Sequence, residues 1–280
     1  MDLHSESGAE RFRTKKCYGQ NFLRDRSVVA QIIAAAAIGA DDRVIEIGPG
    51  LGALTDELLK SAAEVNIVEI DKELIAFWSE RHDPQLRLHC GDALQLRWRE
   101  IFSSPPYILA ANLPYNISTP ILFKMIEERD LFKRLVLMFQ KEVGERICAP
   151  PGGKDYGVLS VFCQLWFDVR KVVVVPPGAF HPAPKVHSIV IQLDPLPAPR
   201  VALDDYQIFR RVVKGAFGQR RKTLRNALGG AGFSSERIDA VLAATAIDGK
   251  RRGETLSLSE FAILSNAFGD EEGGAYHGCL

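Results

Sequence analysis

Short apolar runs at 43–47, 65–70, 86–90, 107–111 and 134–139 recur along the first half of the chain, and helix-length segments at 53–61, 72–82 and 119–128 separate several of them. Runs of that length read as buried strands, and their alternation with helices predicts βαβ units and a mainly parallel, doubly wound sheet. Residues 27–38 carry an apolar face ahead of the first strand, with Ser27 as the expected N-cap. Two later β-rich stretches, 166–175 and 187–193, are expected to add strands to the same sheet. Pro195, Pro197 and Pro199 then break the pattern as a stiff, extended linker. Residues 204–268 read as helices only, and the Gly-rich end, 269–280, is expected to be disordered. The expected division is an α/β domain over 1–194 and a small all-helical domain over 199–268.

Composition changes this picture little. A hydrophobic content of 46% and a charged content of 25% over 280 residues are ordinary for a soluble globular chain. Lys+Arg and Asp+Glu are both 35, so net charge says nothing about nucleic acid. The distribution says more: residues 204–226 hold Arg210, Arg211, Lys214, Arg220, Arg221, Lys222 and Arg225 against only Asp204 and Asp205. Such a cluster suits a phosphate backbone, the alternative being a solvated helix face. The five cysteines are scattered without a C-x-x-C pair, which argues against a disulfide framework or zinc site and for a reducing cytoplasm. The histidines show no metal-ligand spacing, residues 1–16 lack the apolar run of a secretory signal, and no segment is apolar enough to span a membrane.

Two loops carry candidate chemistry. Glu46-Ile47-Gly48-Pro49-Gly50-Leu51-Gly52 follows the first strand and precedes a helix, a place where glycines let the chain turn sharply and a ligand lie against its backbone. The spacing also satisfies the looser dinucleotide pattern, which keeps NAD open. A carboxylate at Glu46 would repel a pyrophosphate, however, whereas the sulfonium and ammonium of S-adenosylmethionine would welcome it. Glu69 ends the next strand and can accept from ribose hydroxyls, and Asp92 after the third can accept from an adenine amino group. Asn112-Leu113-Pro114-Tyr115 offers the Asn112 side-chain oxygen and a backbone carbonyl of Leu113-Pro114 as acceptors beside the Tyr115 ring. That set suits a flat, amino-bearing base, although ordinary loop chemistry uses the same residue types.

With these blocks the chain resembles the ribosomal RNA adenine N6,N6-dimethyltransferases, over about Lys15 to Phe268. Further blocks that carry the resemblance are Gly19-Gln20-Asn21-Phe22-Leu23, Gly91-Asp92-Ala93, Asn116-Ile117-Ser118, Gln140-Lys141-Glu142-Val143, Tyr156–Ser160 and Phe180–Ser188. The resemblance implies a Rossmann-like, S-adenosylmethionine-dependent methyltransferase sheet with a helical C-terminal domain that docks RNA; nothing in the sequence demands a metal or more than a monomer. It implies that Gln20, Asn21 and Leu23 close over the cofactor, that Gly48 contacts it, and that Glu69 binds ribose, Asp92 adenine and Asn112 methionine. Glu46, Gly50, Ile70 and Ala93 complete the implied cofactor set. Asn112 and Leu113 would hold the target amine, Tyr115 and Phe180 would sandwich the flipped base, and Arg220, Arg221, Lys222 and Arg225 would meet RNA. The Tyr156–Ser160 and Phe180–Ser188 blocks and the run Phe217–Asn226 favour the bacterial branch that modifies two adjacent adenosines near the 3′ end of small-subunit (16S) rRNA. The rivals are the branch acting on large-subunit RNA, an NAD-dependent oxidoreductase, and a non-catalytic RNA-binding assembly factor. Without the resemblance, Phe180 reads as a core plug.

Overall fold

The computed structural model describes Lys15 and residues 19–269. The expectations for Cys17 and for the Gly-rich end beyond Gly269 lie outside those residues. The described chain forms two compact units, one from residues up to Gly144 with Asp168–Pro195, the other from Glu145–Phe167 with residues from Leu196 onward. This differs from the expected continuous 1–194 domain: Glu145–Phe167 cluster with the later helices.

The first unit is built on strands β2 (Arg43–Ile47), β3 (Glu64–Glu69), β4 (Leu86–Cys90), β5 (Tyr107–Asn112), β6 (Phe132–Gln140), β7 (Phe167–Val175) and β9 (Ser188–Pro195), in the order β4-β3-β2-β5-β6-β9-β7. Pairings among β2 to β6 are parallel, and β9 runs antiparallel to β6. Val44, Ile45, Val65, Ile67, Ile108, Leu109, Leu135 and Val136 are each at most 1% exposed, as expected of strands covered on both faces. Helices α1 (Arg26–Ala36), α2 (Thr55–Leu58), α3 (Lys72–Ser79), α4 (Trp98–Ile101) and α5 (Ser118–Glu127) precede or connect these strands, and the unit boundary after Gly144 falls within α6 (Lys141–Ile147). The cap of α1 is Asp25, not Ser27: its carboxylate accepts from the backbone N–H of Ser27 at 2.8 Å and of Val28 at 3.3 Å. Asp precedes Ser by two residues, so the carboxylate takes the capping position and the hydroxyl donates to it at 2.6 Å. A separate two-stranded sheet pairs β1 (Phe22–Leu23) with β8 (Phe180–His181), antiparallel, with Leu23 opposite Phe180.

The second unit contains α7 (Val158–Trp166), α8 (Tyr206–Gly218), α9 (Leu224–Gly230), α10 (Ser235–Thr245) and α11 (Leu258–Gly269). Phe162 of α7 meets Tyr206 and Phe209 of α8 at ring centroid distances of 6.4 and 6.2 Å, and Trp166 meets Tyr206 at 5.6 Å. Among the described residues, no helix is long and apolar enough to cross a membrane.

Candidate active site

β2 and β5 lie side by side where the strand order reverses, and their carboxyl ends open on a cavity of about 1110 Å³. That is where open α/β sheets bind ligands. The glycine turn forms one wall. Gly48 and Gly50 have φ of 66° and 56°, a region that a side chain disfavours. A Cβ added at Gly50 would also lie 2.8 Å from the Phe22 ring, so the strap 19–25 packs directly on the turn. The Trp78 indole N–H donates to the Gly50 carbonyl at 3.0 Å and braces it from behind.

Carboxylates from the ends of β2, β3 and β4 line this cavity. Glu46 is 2% exposed, and burial pushes its pKa up to about 8 although the Thr55 hydroxyl donates to it at 2.6 Å. Glu69 is also buried, which raises its pKa, while its Oε1 accepts from the N–H groups of Ile70 and Asp71, both at 2.8 Å. Asp92 accepts from the Leu94 N–H at 2.9 Å and the Gln95 amide at 3.0 Å. Ile70, an exposed apolar side chain, and Ala93 line the same cavity.

The strap supplies the opposite wall through Gln20, Asn21 and Leu23. Its fastening was not foreseen from the sequence. The Gln20 amide donates to Asp71 at 2.8 Å and accepts from the Lys15 N–H at 2.8 Å, while the Lys15 ammonium meets Asp71 at 2.6 Å and Glu73 at 3.0 Å. Burial would raise the Asp71 pKa, but these partners hold it below the usual carboxylate range. Asp71 at the N-cap and Glu73 in the first turn of α3 are the sequence signal for such a latch.

Asn112 ends β5 at the cavity, and its Nδ2 donates to the Asn21 carbonyl at 2.9 Å. The amide is thereby oriented with Oδ1 as an acceptor. The Pro114 carbonyl accepts from the Ile117 N–H at 3.1 Å, which leaves the Leu113 carbonyl as the open one of that pair among the described residues. Tyr115 is half-buried, which raises its pKa, and its hydroxyl shares a 2.6 Å hydrogen bond with the Ser188 hydroxyl. Ser188 had no role assigned from the sequence, though it closes the Phe180–Ser188 block and opens β9. Phe180 is placed differently: it is 5% exposed, belongs to the apolar core with Leu23 and Val29, and is not among the residues lining the cavity. In this arrangement it is the core plug of the residue-only reading.

In the second unit the proposed RNA contacts divide into two kinds. Arg220 donates to the carbonyls of Lys154 at 2.8 Å and Tyr156 at 3.2 Å, and Arg225 forms a bidentate pair with Asp239 at 2.6 and 2.7 Å. Arg221 and Lys222 are exposed on the turn before α9. Arg210, Arg211 and Lys214 also line a separate groove of about 590 Å³ floored by small residues of α8 and α9.

The chain matches a known family over most of its length. The family model for ribosomal RNA adenine dimethylase matches residues 11–264. The ribosomal RNA small subunit methyltransferase A of Syntrophotalea carbinolica is 58% identical over 253 residues, covering 90% of this chain and 96% of its own. The protein of the same name from Geobacter metallireducens is 51% identical over 265 residues, covering 92% and 96%. The crystal structure of a dimethyladenosine transferase from Plasmodium falciparum superposes with a TM-score of 0.75 at 31% identity, covering 87% of this chain and 95% of its own. The 23S rRNA methyltransferase ErmE shares the fold, with a TM-score of 0.67 at 24% identity over 89% and 100% of the two chains. A glycine turn, carboxylates at successive strand ends and an anchored Asn112 thus stand in a chain that belongs to the ribosomal RNA adenine dimethylase family, enzymes that methylate adenine in rRNA.

Proposed function

We propose that this chain transfers two methyl groups from S-adenosylmethionine to N6 of each of two adjacent adenosines near the 3′ end of small-subunit rRNA. The branch is supported by the small-subunit methyltransferases of more than half identity over nearly the whole chain. The observation that carries the chemistry is Asn112, tethered through Nδ2 and presenting Oδ1 beside Tyr115 at the edge of a carboxylate-lined cavity.

The cavity suits a cationic cofactor. Glu46, buried without a cationic partner in the described hydrogen-bond set, gains from an ammonium or sulfonium nearby and would be repelled by a pyrophosphate. S-adenosylmethionine, when bound, supplies an electrophilic methyl carried on a sulfonium. Glu69 would accept from the ribose hydroxyls, and Asp92 from the adenine amine, with Ala93 and Ile70 beside the ring. Gln20, Asn21 and Leu23 cover the site from the strap. An adenine amine is a poor nucleophile because its lone pair is delocalised into the ring. Asn112 Oδ1 and the Leu113 carbonyl hold its two N–H groups and draw the nitrogen toward tetrahedral geometry. Tyr115, pinned by Ser188, supplies the stacking face. The amine becomes strongly acidic only as the methyl arrives, so positioning and preorganised acceptors carry the rate rather than a tuned base. Phe180 joins the sandwich only if its ring leaves the core when the base enters. The helical unit, through Arg221 and Lys222 and the basic groove of α8, docks RNA; such contacts position rather than read sequence.

The test is transfer of labelled methyl to undermethylated small subunits and, in parallel, to large-subunit RNA, followed by nucleoside analysis. Label in N6,N6-dimethyladenosine from the small subunit alone is the expected result. Label only in large-subunit RNA reassigns the branch, and no label despite cofactor binding replaces the enzyme with an assembly factor.

A further inference from the structure

Lys124 lies in the last turn of α5, the helix that begins just after the Asn112–Tyr115 loop, yet its ammonium reaches away from that helix. Its ammonium donates to the carbonyls of Leu94 and Leu96, both at 2.7 Å. These carbonyls belong to the turn that follows β4 and carries Asp92 and Ala93. The other described bonds of that turn are internal, come from the Trp98 just after it, or tie its first residue to the neighbouring strand β3. The Asp92 carbonyl accepts from the N–H groups of Gln95 and Leu96 at 2.9 and 3.0 Å, the Ala93 carbonyl accepts from the Trp98 indole at 2.9 Å, and the Gly91 N–H donates to the Glu69 backbone carbonyl at 2.7 Å. The Asp92 carboxylate is itself oriented by the Leu94 N–H and the Gln95 amide. The direction in which that carboxylate points therefore depends on the shape of residues 92–96. Lys124 is the one group from a distant element that gathers two of the turn's carbonyls, among the described hydrogen bonds.

We propose that Lys124 is a positioning residue for adenine recognition: by clasping the carbonyls of Leu94 and Leu96 it holds the turn in the shape that presents the Asp92 carboxylate to the exocyclic amine of the cofactor. This rests on the assignment of Asp92 to adenine. A lysine fits the task because its compact ammonium has three donors, enough for two carbonyls at once. Burial lowers its pKa, while Glu128, Asp92 and Glu127 favour the charged form. Removing the ammonium leaves two carbonyls without their partner, and the turn must relax to find others. The clasp also joins the adenine-binding turn to the helix that begins at the target-amine loop, so the two halves of the site share one brace.

The test compares S-adenosylhomocysteine with its analogue in which hypoxanthine replaces adenine, measuring Kd by titration calorimetry on the full chain. An amine bonded to a carboxylate should give the wild type a preference of about tenfold or more for the adenine form. Lys124→Met is expected to weaken adenine-form binding by about tenfold while changing hypoxanthine-form binding little, so that the preference falls to within about threefold. In turnover, KM for S-adenosylmethionine should rise more than kcat falls. A simply looser fold would weaken both ligands alike and leave the preference intact, which overturns the inference. If the wild type shows no preference, the adenine assignment of Asp92 fails instead. Lys124→Gln, which keeps a donor for one carbonyl, should show an intermediate preference and decides the matter if the Met variant does not fold; a wild-type preference in the Gln variant overturns the inference.

Discussion

Asn112 combines one structural bond and one proposed catalytic contact in a single amide. Its Nδ2 fixes the strap through Asn21, and its Oδ1 is the proposed acceptor for the target amine. Asn112→Ala should lower kcat by about 10²- to 10³-fold, the usual cost of losing one preorganised partner, while costing about 1 kcal/mol of stability for the tether. Single-turnover transfer and thermal melting separate the two effects. Glu46 makes a different prediction. Its pKa of about 8 in the folded chain lies above the ordinary 4.5, so between these values the folded protein holds a proton that the unfolded chain has released. The associated stability is complete below about pH 4.5 and is lost progressively as pH rises through 8. Glu46→Gln keeps an acceptor for Thr55 but removes the titration. The cofactor-free variant should therefore show a smaller fall in Tm between pH 5 and pH 8 than the wild type, and an equal fall would locate the sensitivity elsewhere.

At the scale of elements, the strap and the glycine turn behave as one part. Gly50→Ala forces a left-handed residue, worth about 1–2 kcal/mol, and pushes the new Cβ into Phe22. Adding Phe22→Ala should recover part of the lost cofactor affinity, a non-additivity that a double-mutant cycle reads directly. The parallel core was legible in the sequence because strands buried on both faces are continuous apolar runs, and β2, β4 and β5 begin where the pattern places them. The glycine turn and Asn112 were legible for a related reason: chemistry confines them to strand ends. Helices α6 and α7 are not legible in the pattern, since Lys141–Ile147 is short and Val158–Trp166 is a short apolar run that reads equally well as a buried strand. The latch of Lys15, Gln20 and Asp71 was hidden because its partners are more than fifty positions apart in sequence. Phe180 shows the reverse difficulty, since an aromatic between prolines looks the same whether it packs or stacks.

On the scale of the whole molecule, the proposed contact with RNA rests on where charge is placed rather than on net charge. Arg221→Ala and Lys222→Ala should each reduce the slope of log affinity against log salt by about 0.7–0.9, because each would remove a phosphate contact. Arg225→Ala should reduce it less, its guanidinium already being held by Asp239. Equal slopes for all three would place the phosphate contacts elsewhere, with the α8 groove the next candidate. The division into units has a consequence for how the protein is made. Because α7 belongs with the helices that begin at Tyr206, and β7, β8 and β9 are encoded between them, α7 is synthesised about forty residues before α8. During that interval Phe162 and Trp166 have no rings of α8 to meet, so the helical unit closes only near the end of synthesis. A chain cut at the proline-rich segment would keep the strands but strand α7 without its partners, and would emerge from translation as a target for chaperones and proteases.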